Sequence, residues 1–246
     1  MSKKLISWVS IGMVVFSTLA FAQDMSANEK KVAEFFKKAI KDSRNIDLNP
    51  LARQTEIKDI YEITVDKRIQ GYTNLEGSFI LSGDLINPKN LENLTSKREE
   101  ELNRVDIKAL PLNQAIKVVN GNGKREIYTI EDPRCGYCKK LGENLQKMDD
   151  VTIHIFPVAF LGPESEKQAK AVMCAKNPAD AWFETLLEGK VPKNNGECKD
   201  EYIEENVELA RKLNVRGTPA IIFADGSRIG GFAPMEVIEE RLKNIK

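Results

Sequence analysis

Cys135-Gly136-Tyr137-Cys138 places two thiols two residues apart in a chain of 246 residues with only four cysteines. Sulfurs at that spacing close a disulfide across one turn of helix or supply half of a metal site. A structural zinc site needs four ligands. The chain has one histidine, His154, and Cys174 and Cys198 do not form a second Cys-x-x-Cys, so the metal reading lacks ligands. A tight bridge at a helix start is strained and reducible, which favours a redox-active pair over a purely structural one.

The flanking sequence agrees. Glu126–Ile130 reads as a strand that runs straight into Asp132-Pro133-Arg134-Cys135, and a helix then carries Cys138, Leu141, Leu145 and Met148 on one face. At a strand-to-helix junction the unpaired N–H groups and the helix dipole favour an anion. Arg134, Lys139 and Lys140 add to that field. The thiolate is the attacking species, so Cys135 is the expected nucleophile and Cys138, one turn inward, the resolving thiol. No carboxylate stands at Thr129, six residues before Cys135; Glu131 and Asp132 are nearer, with directions the sequence does not give. Thr218-Pro219 precedes the strand Ala220–Phe223. Proline cannot donate to a ladder, and a cis bond there would turn the Thr218 backbone toward a substrate beside Cys135.

The N-terminus bounds the compartment. Lys3 and Lys4 precede the uncharged, mostly apolar run Leu5–Leu19, which ends in Ala20-Phe21-Ala22. This is the three-part pattern of a cleaved secretory signal peptide over residues 1–22, rather than of a retained membrane anchor. The whole chain has 37 basic and 37 acidic groups. Loss of Lys3 and Lys4 leaves a net −2, which argues against a nucleic-acid partner. Disulfides persist after export. Four cysteines allow three pairings, and proximity favours Cys135–Cys138 with Cys174–Cys198 as a structural bridge, the alternative being a buried free thiol at Cys174.

Along the rest of the chain, residues 27–41 read as an amphipathic helix from Val32, Phe35, Phe36, Ala39 and Ile40. Strands are expected within Ile57–Val65, Ile69–Thr73 and Ser78–Leu81. The core they enclose is small, and an open strand edge there is a natural dimer seam. Asn87-Pro88 reads as the start of a linking helix over 87–110, with Leu91, Leu94, Leu102 and Val105 on one face. Ala115–Val119 is a strand, and Gly121-Asn122-Gly123 reads as a tight hairpin turn to the strand that follows; it lacks the further glycine or lysine-serine of a nucleotide loop. Val151–Val158 is a strand, with His154 more suited to packing than to base chemistry. Residues 163–211 are mostly helical, Trp182 and Phe183 read as core, Asp225-Gly226 turns a hairpin, and Pro234 opens a last helix. The order suggests α/β packing around one sheet.

Cys135-Gly136-Tyr137-Cys138, Cys174-Ala175-Lys176, Cys198 and Gly217-Thr218-Pro219-Ala220 together resemble the DsbC/DsbG family of thiol:disulfide interchange proteins. The likeness spans nearly the whole mature chain and is strongest over 126–232. It implies a mixed α+β and α/β architecture: an N-terminal dimerisation domain over 23–86, a linker helix over 87–110, and a thioredoxin-like catalytic domain with a helical insertion over 111–246. It implies a V-shaped periplasmic homodimer that isomerises wrong disulfides in misfolded secreted proteins. Catalysis would fall to Cys135 and Cys138, and client binding to Gly136, Tyr137, Thr218 and Pro219. No cofactor is implied beyond the cysteine pair, which a DsbD-type membrane thiol reductase keeps reduced. The alternatives are a dithiol oxidant of the DsbA sort and a DsbG-like chaperone with reductase activity.

Overall fold

The computed structural model describes residues 25–198 and 202–245; the expected signal peptide lies outside the described residues. The chain divides into two compact units, one running up to Asp66 together with Gln70–Ser82, the other made of Lys67–Ile69 and Gly83 onward.

The first unit opens on helix α1 (Ala27–Arg44). Ser26 and Glu29 form a reciprocal capping box at its start, and Asn45 closes it in the left-handed conformation. Val32, Ala33 and Phe36 bury its apolar face against Ala52, Tyr61 and Ile63, from strands β1 (Leu51–Gln54) and β2 (Tyr61–Val65). Strand β3 (Arg68–Thr73) completes a three-stranded sheet in the order β1-β2-β3. The strand expected from Ile57 begins only at Tyr61, because Ile57–Ile60 form a turn with Asp59 at positive φ. The strand expected at Ser78–Leu81 reduces to one bridge between Leu81 and Tyr72.

The second unit starts with a shorter helix than the sequence suggests. The expected 87–110 helix is α2 (Leu94–Leu102) followed by a 3-10 turn at Ile107–Ala109. Asn87 makes a local turn onto Lys89 N–H rather than a helix cap, Leu91 has positive φ and is 79% exposed, and Asn93 is the true N-cap, accepting from Ser96 N–H. With Asn90 accepting from Glu92 N–H in the same way, two competing Asn turns intervene before the helix.

The main sheet contains β4 (Ile116–Asn120), β5 (Arg125–Glu131), β6 (Val151–Pro157), β7 (Ala220–Phe223) and β8 (Arg228–Gly230), in the order β4-β6-β5-β7-β8. The turn at Gly121-Asn122-Gly123 is thus not a hairpin. Strand β6 inserts between β4 and β5, antiparallel to the first and parallel to the second. Asp150, just before β6, accepts from Asn122 N–H at 2.9 Å, and the Thr152 hydroxyl donates to the Gly123 carbonyl, so the turn steps over the incoming strand. All seven residues of β6 are buried, as a central strand covered on both faces requires.

Alternation along the strands sorts two cores. Ile127, Ile153, Ile155, Ile221 and Phe223 pack with helices α3 (Gly136–Leu145), α5 (Pro178–Phe183) and α7 (Met235–Asn244). Tyr128, Ile130, Phe156 and Ile222 pack with Val105, Leu110 and Ala210 of helix α6 (Ile203–Lys212). Each fully buried aliphatic side chain stabilises by roughly 1.5–3 kcal/mol. The helical insertion comprises α4 (Pro163–Met173), α5, a π-helical turn at Glu184–Glu188 and α6. Trp182 and Phe183 are buried in the core, as their sequence context indicates.

Candidate active site

Cys135 is the N-cap residue of α3. Its backbone is extended (φ −79°, ψ 118°), its carbonyl accepts the first helical bond from Lys139 N–H, and no side chain caps the helix. The sulfur therefore occupies the place where a serine or aspartate oxygen would serve the unpaired N–H groups. Cys135 is partly exposed, Cys138 is fully buried, and both are free.

Thr218–Pro219 is cis, and Cys135 Sγ lies 3.3 Å from the Thr218 carbonyl oxygen, to which the thiol donates. The Pro219 carbonyl accepts from Gly231 N–H, which closes the loop behind it. Gly136 has open space where a Cβ would stand. Tyr137 is 59% exposed, tilted against Phe232 at a ring separation of 6.4 Å, with Lys140 over its face. Leu161 is also exposed. The structure thus gathers Cys135, Cys138 and Thr218-Pro219, with Gly136 and Tyr137 beside them. Cys174 and Cys198 are elsewhere, joined in a disulfide at the end of α4 with Cα atoms 5.7 Å apart. Among the described residues no cluster of His, Cys, Asp and Glu side chains is placed to hold a metal ion.

Two acids complete the site. Asp132 is fully buried and accepts from Arg134 N–H, Leu161 N–H and the Ser165 hydroxyl at 2.8–3.0 Å. It fastens the loop before Cys135 to the start of α4. Glu131 is also fully buried. Burial pushes its carboxyl up to about 7, opposed by a 2.6 Å hydrogen bond from the Thr129 hydroxyl. Burial, and after it the charge of Glu131, drive the Cys138 thiol far above its ordinary value. His154 lies on the opposite face of the sheet, stacked on Tyr128 at 5.0 Å. Its burial favours the neutral imidazole, so it is a packed residue.

The roles of Glu131 and Asp132 were not assigned from sequence. A signal did exist for Glu131, because it stands two residues beyond Thr129 in a strand and hence on the same face.

The family model for a thioredoxin-like domain matches residues 112–246. The chain belongs to the thioredoxin-like family. It is similar to the probable thiol:disulfide interchange protein DsbC of Bordetella avium, with 43% identity over 70% of this chain and 61% of that protein. The corresponding protein of Bordetella parapertussis is 38% identical over the same shares. DsbC of Escherichia coli is 33% identical over 48% of this chain and 51% of its own length. The chain thus matches about three fifths of the Bordetella relatives' length. Among solved structures, a disulfide interchange protein from Neisseria gonorrhoeae aligns with a TM-score of 0.51 at 34% identity, over 55% of this chain and 96% of that one. The thioredoxin-like match at 112–246 contains the cysteine pair.

Proposed function

We propose that this thioredoxin-like protein is a periplasmic protein disulfide isomerase and reductase of the DsbC type. The observation that carries the reading is the placement of Cys135: it stands at the N-cap position of α3, is partly exposed, and its sulfur lies 3.3 Å from the Thr218 carbonyl, while Cys138 is fully buried.

The Cys135 thiolate attacks a wrong disulfide in a misfolded secreted protein. One client sulfur joins Cys135 and the other leaves as a thiolate. If a client thiol attacks back, Cys135 is released and the client disulfide has been rearranged with no net redox change. If Cys138 attacks instead, the client leaves reduced and the enzyme pair becomes a disulfide. A thiol donor of the DsbD type then restores the dithiol, so the cysteine pair is itself the redox group and no further cofactor is needed. The Thr218 backbone beside Cys135 offers hydrogen bonding to an extended client segment, and exposed Tyr137 and Leu161 offer it apolar contact. Broad contact of this kind suits unfolded clients.

The sequence pattern of residues 1–22 supports export and cleavage. Homodimerisation through the first unit is supported by Phe79, Ile80 and Leu81, three consecutive large apolar residues exposed beside β3. An edge of this kind is a template for pairing.

The test is refolding of scrambled ribonuclease by the mature chain, together with alkylation trapping of Cys135 in cells. Catalysed recovery and a mostly reduced pair are expected. No catalysis would refute the reading, and a mostly oxidised pair would make the protein an oxidant.

A further inference from the structure

A cavity of about 590 Å³ lies wholly within the second unit. Its walls are the loop over 214–218, strand β8 and helix α2 with its C-cap Asn103. Ala220 and Val215, which line it, belong to the core opposite α3. Thr218 lines it too, and the Thr218 carbonyl is the group that accepts from Cys135. The cavity therefore adjoins the cis-proline loop from the side away from the cysteine helix. Gly217 and Gly230 have open space where a Cβ would stand, so another backbone can lie directly against this stretch.

The charges on these walls are unevenly matched. Arg228, on β8, is half-buried, and its Nη1 donates to the Leu213 carbonyl. Arg216, in the loop, is exposed, and its Nε donates to Asn214 Oδ1 at 3.3 Å. Among the described residues neither guanidinium is paired with a carboxylate. Burial alone pulls the Arg228 guanidinium below its ordinary value, with no acid to offset it. Across the cavity, Glu100 of α2 is already held by Arg241 at 2.5 Å, and Glu99 is exposed. A partly desolvated charge is costly until it is paired. The planar fork of arginine fits a carboxylate.

We propose that this cavity is a client subsite that selects an acidic side chain, with Arg228 and Arg216 as its specificity-determining residues. The inference rests on the function proposed above. A client segment that lies along the Thr218 backbone, with its cysteine at Cys135, passes the cavity within a few residues. An extended chain advances about 3.3 Å per residue, so the aspartate or glutamate that meets the two arginines stands about two or three residues from the attacked cysteine. That ion pair forms on binding and persists through the attack. It therefore strengthens the encounter complex and leaves the bond exchange itself unchanged. Wrong disulfides flanked by acidic residues are taken first.

The test uses the full mature chain and short peptides with one cysteine, blocked as a 2-pyridyl disulfide. Cys135 takes the peptide sulfur, and 2-thiopyridine leaves and is read by its ultraviolet absorbance. Aspartate, asparagine or lysine is placed two or three residues to either side of the cysteine, and aspartate also six residues away as a control. The near aspartate peptides should show an apparent dissociation constant about fivefold lower than the asparagine peptides, the size a favourable, partly exposed ion pair gives. The limiting rate should be the same for both, and the distant aspartate should gain nothing. Arg228→Gln, which keeps a donor for the Leu213 carbonyl, should abolish the preference. Arg216→Glu, at an exposed position, should turn it toward lysine. Equal binding of aspartate and asparagine peptides by the wild-type chain, or a preference unmoved in Arg216→Glu, would overturn the proposal while leaving Cys135's role intact. A wild-type chain that releases no 2-thiopyridine from any peptide would overturn both.

Discussion

The two cysteine pairs stand in opposite settings within one unit. Cys174 and Cys198 are bridged across 24 residues, where the segment before Cys198 is strapped to α4: Asn194 donates to the Ala171 carbonyl and Gly196 packs on Lys170. Cys135 and Cys138 are two residues apart and unbridged, one partly exposed at a helix mouth and the other sealed beneath it. The first pair constrains a loop. The second closes almost no loop and so has little to offer stability, yet it is surrounded by everything that changes a thiol's reactivity. Loop length and electrostatic setting thus divide structural from chemical sulfur.

Substitutions can break that comparison. The largest effect is expected from Cys135→Ser, which should reduce disulfide rearrangement to the uncatalysed rate in a ribonuclease refolding assay while the thermal midpoint stays within a few degrees. Cys138→Ser should still attack but should accumulate mixed disulfides with clients, seen as mass adducts on non-reducing gels. Opening the other bridge with Cys174→Ser and Cys198→Ser should do the reverse, lowering unfolding free energy in denaturant by about 3–4 kcal/mol while the folded fraction keeps its Cys135 reactivity.

A titration sharpens the contrast further. The Glu131 carboxyl titrates near 7 in the folded chain and near 4.5 when unfolded. Between those values the folded state holds the extra proton, so stability should fall as pH rises from about 4.5 to 7, by on the order of 3 kcal/mol. Glu131→Gln should flatten that slope in urea unfolding measured across the range. The smallest effect on the cysteine pair is expected from Leu81→Lys, which should weaken the proposed dimer in sedimentation while leaving Cys135 reactivity unchanged.

Much of the catalytic unit was legible because its signals are local. The strand before Cys135, the apolar spacing of Leu141 and Leu145, and Thr218-Pro219 are each readable within a few residues. What escaped depends on distant partners. The Gly121-Asn122-Gly123 turn looks like a hairpin until β6, some thirty residues on, enters between its two strands. Residues 87–93 look like a helix start because asparagine and proline favour one, but local Asn turns hold that backbone instead. In the first unit β1 was missed, since only Ala52 of its four residues is buried and a strand open on one side writes a faint pattern. Asp132 shows its role only when Leu161 and Ser165 fold back onto it.

Gly226, at the tip of the β7–β8 hairpin, has φ 82°, and a Cβ there would stand 2.3 Å from the Val105 carbonyl oxygen. Val105 N–H donates to the Gly226 carbonyl, and Arg104 holds Asp225. The hairpin that carries Pro219 at its base is therefore latched at its far end to the chain just past α2. A side chain as small as alanine at residue 226 would pry that latch open, and the disturbance would travel down two short strands to the peptide bond facing Cys135.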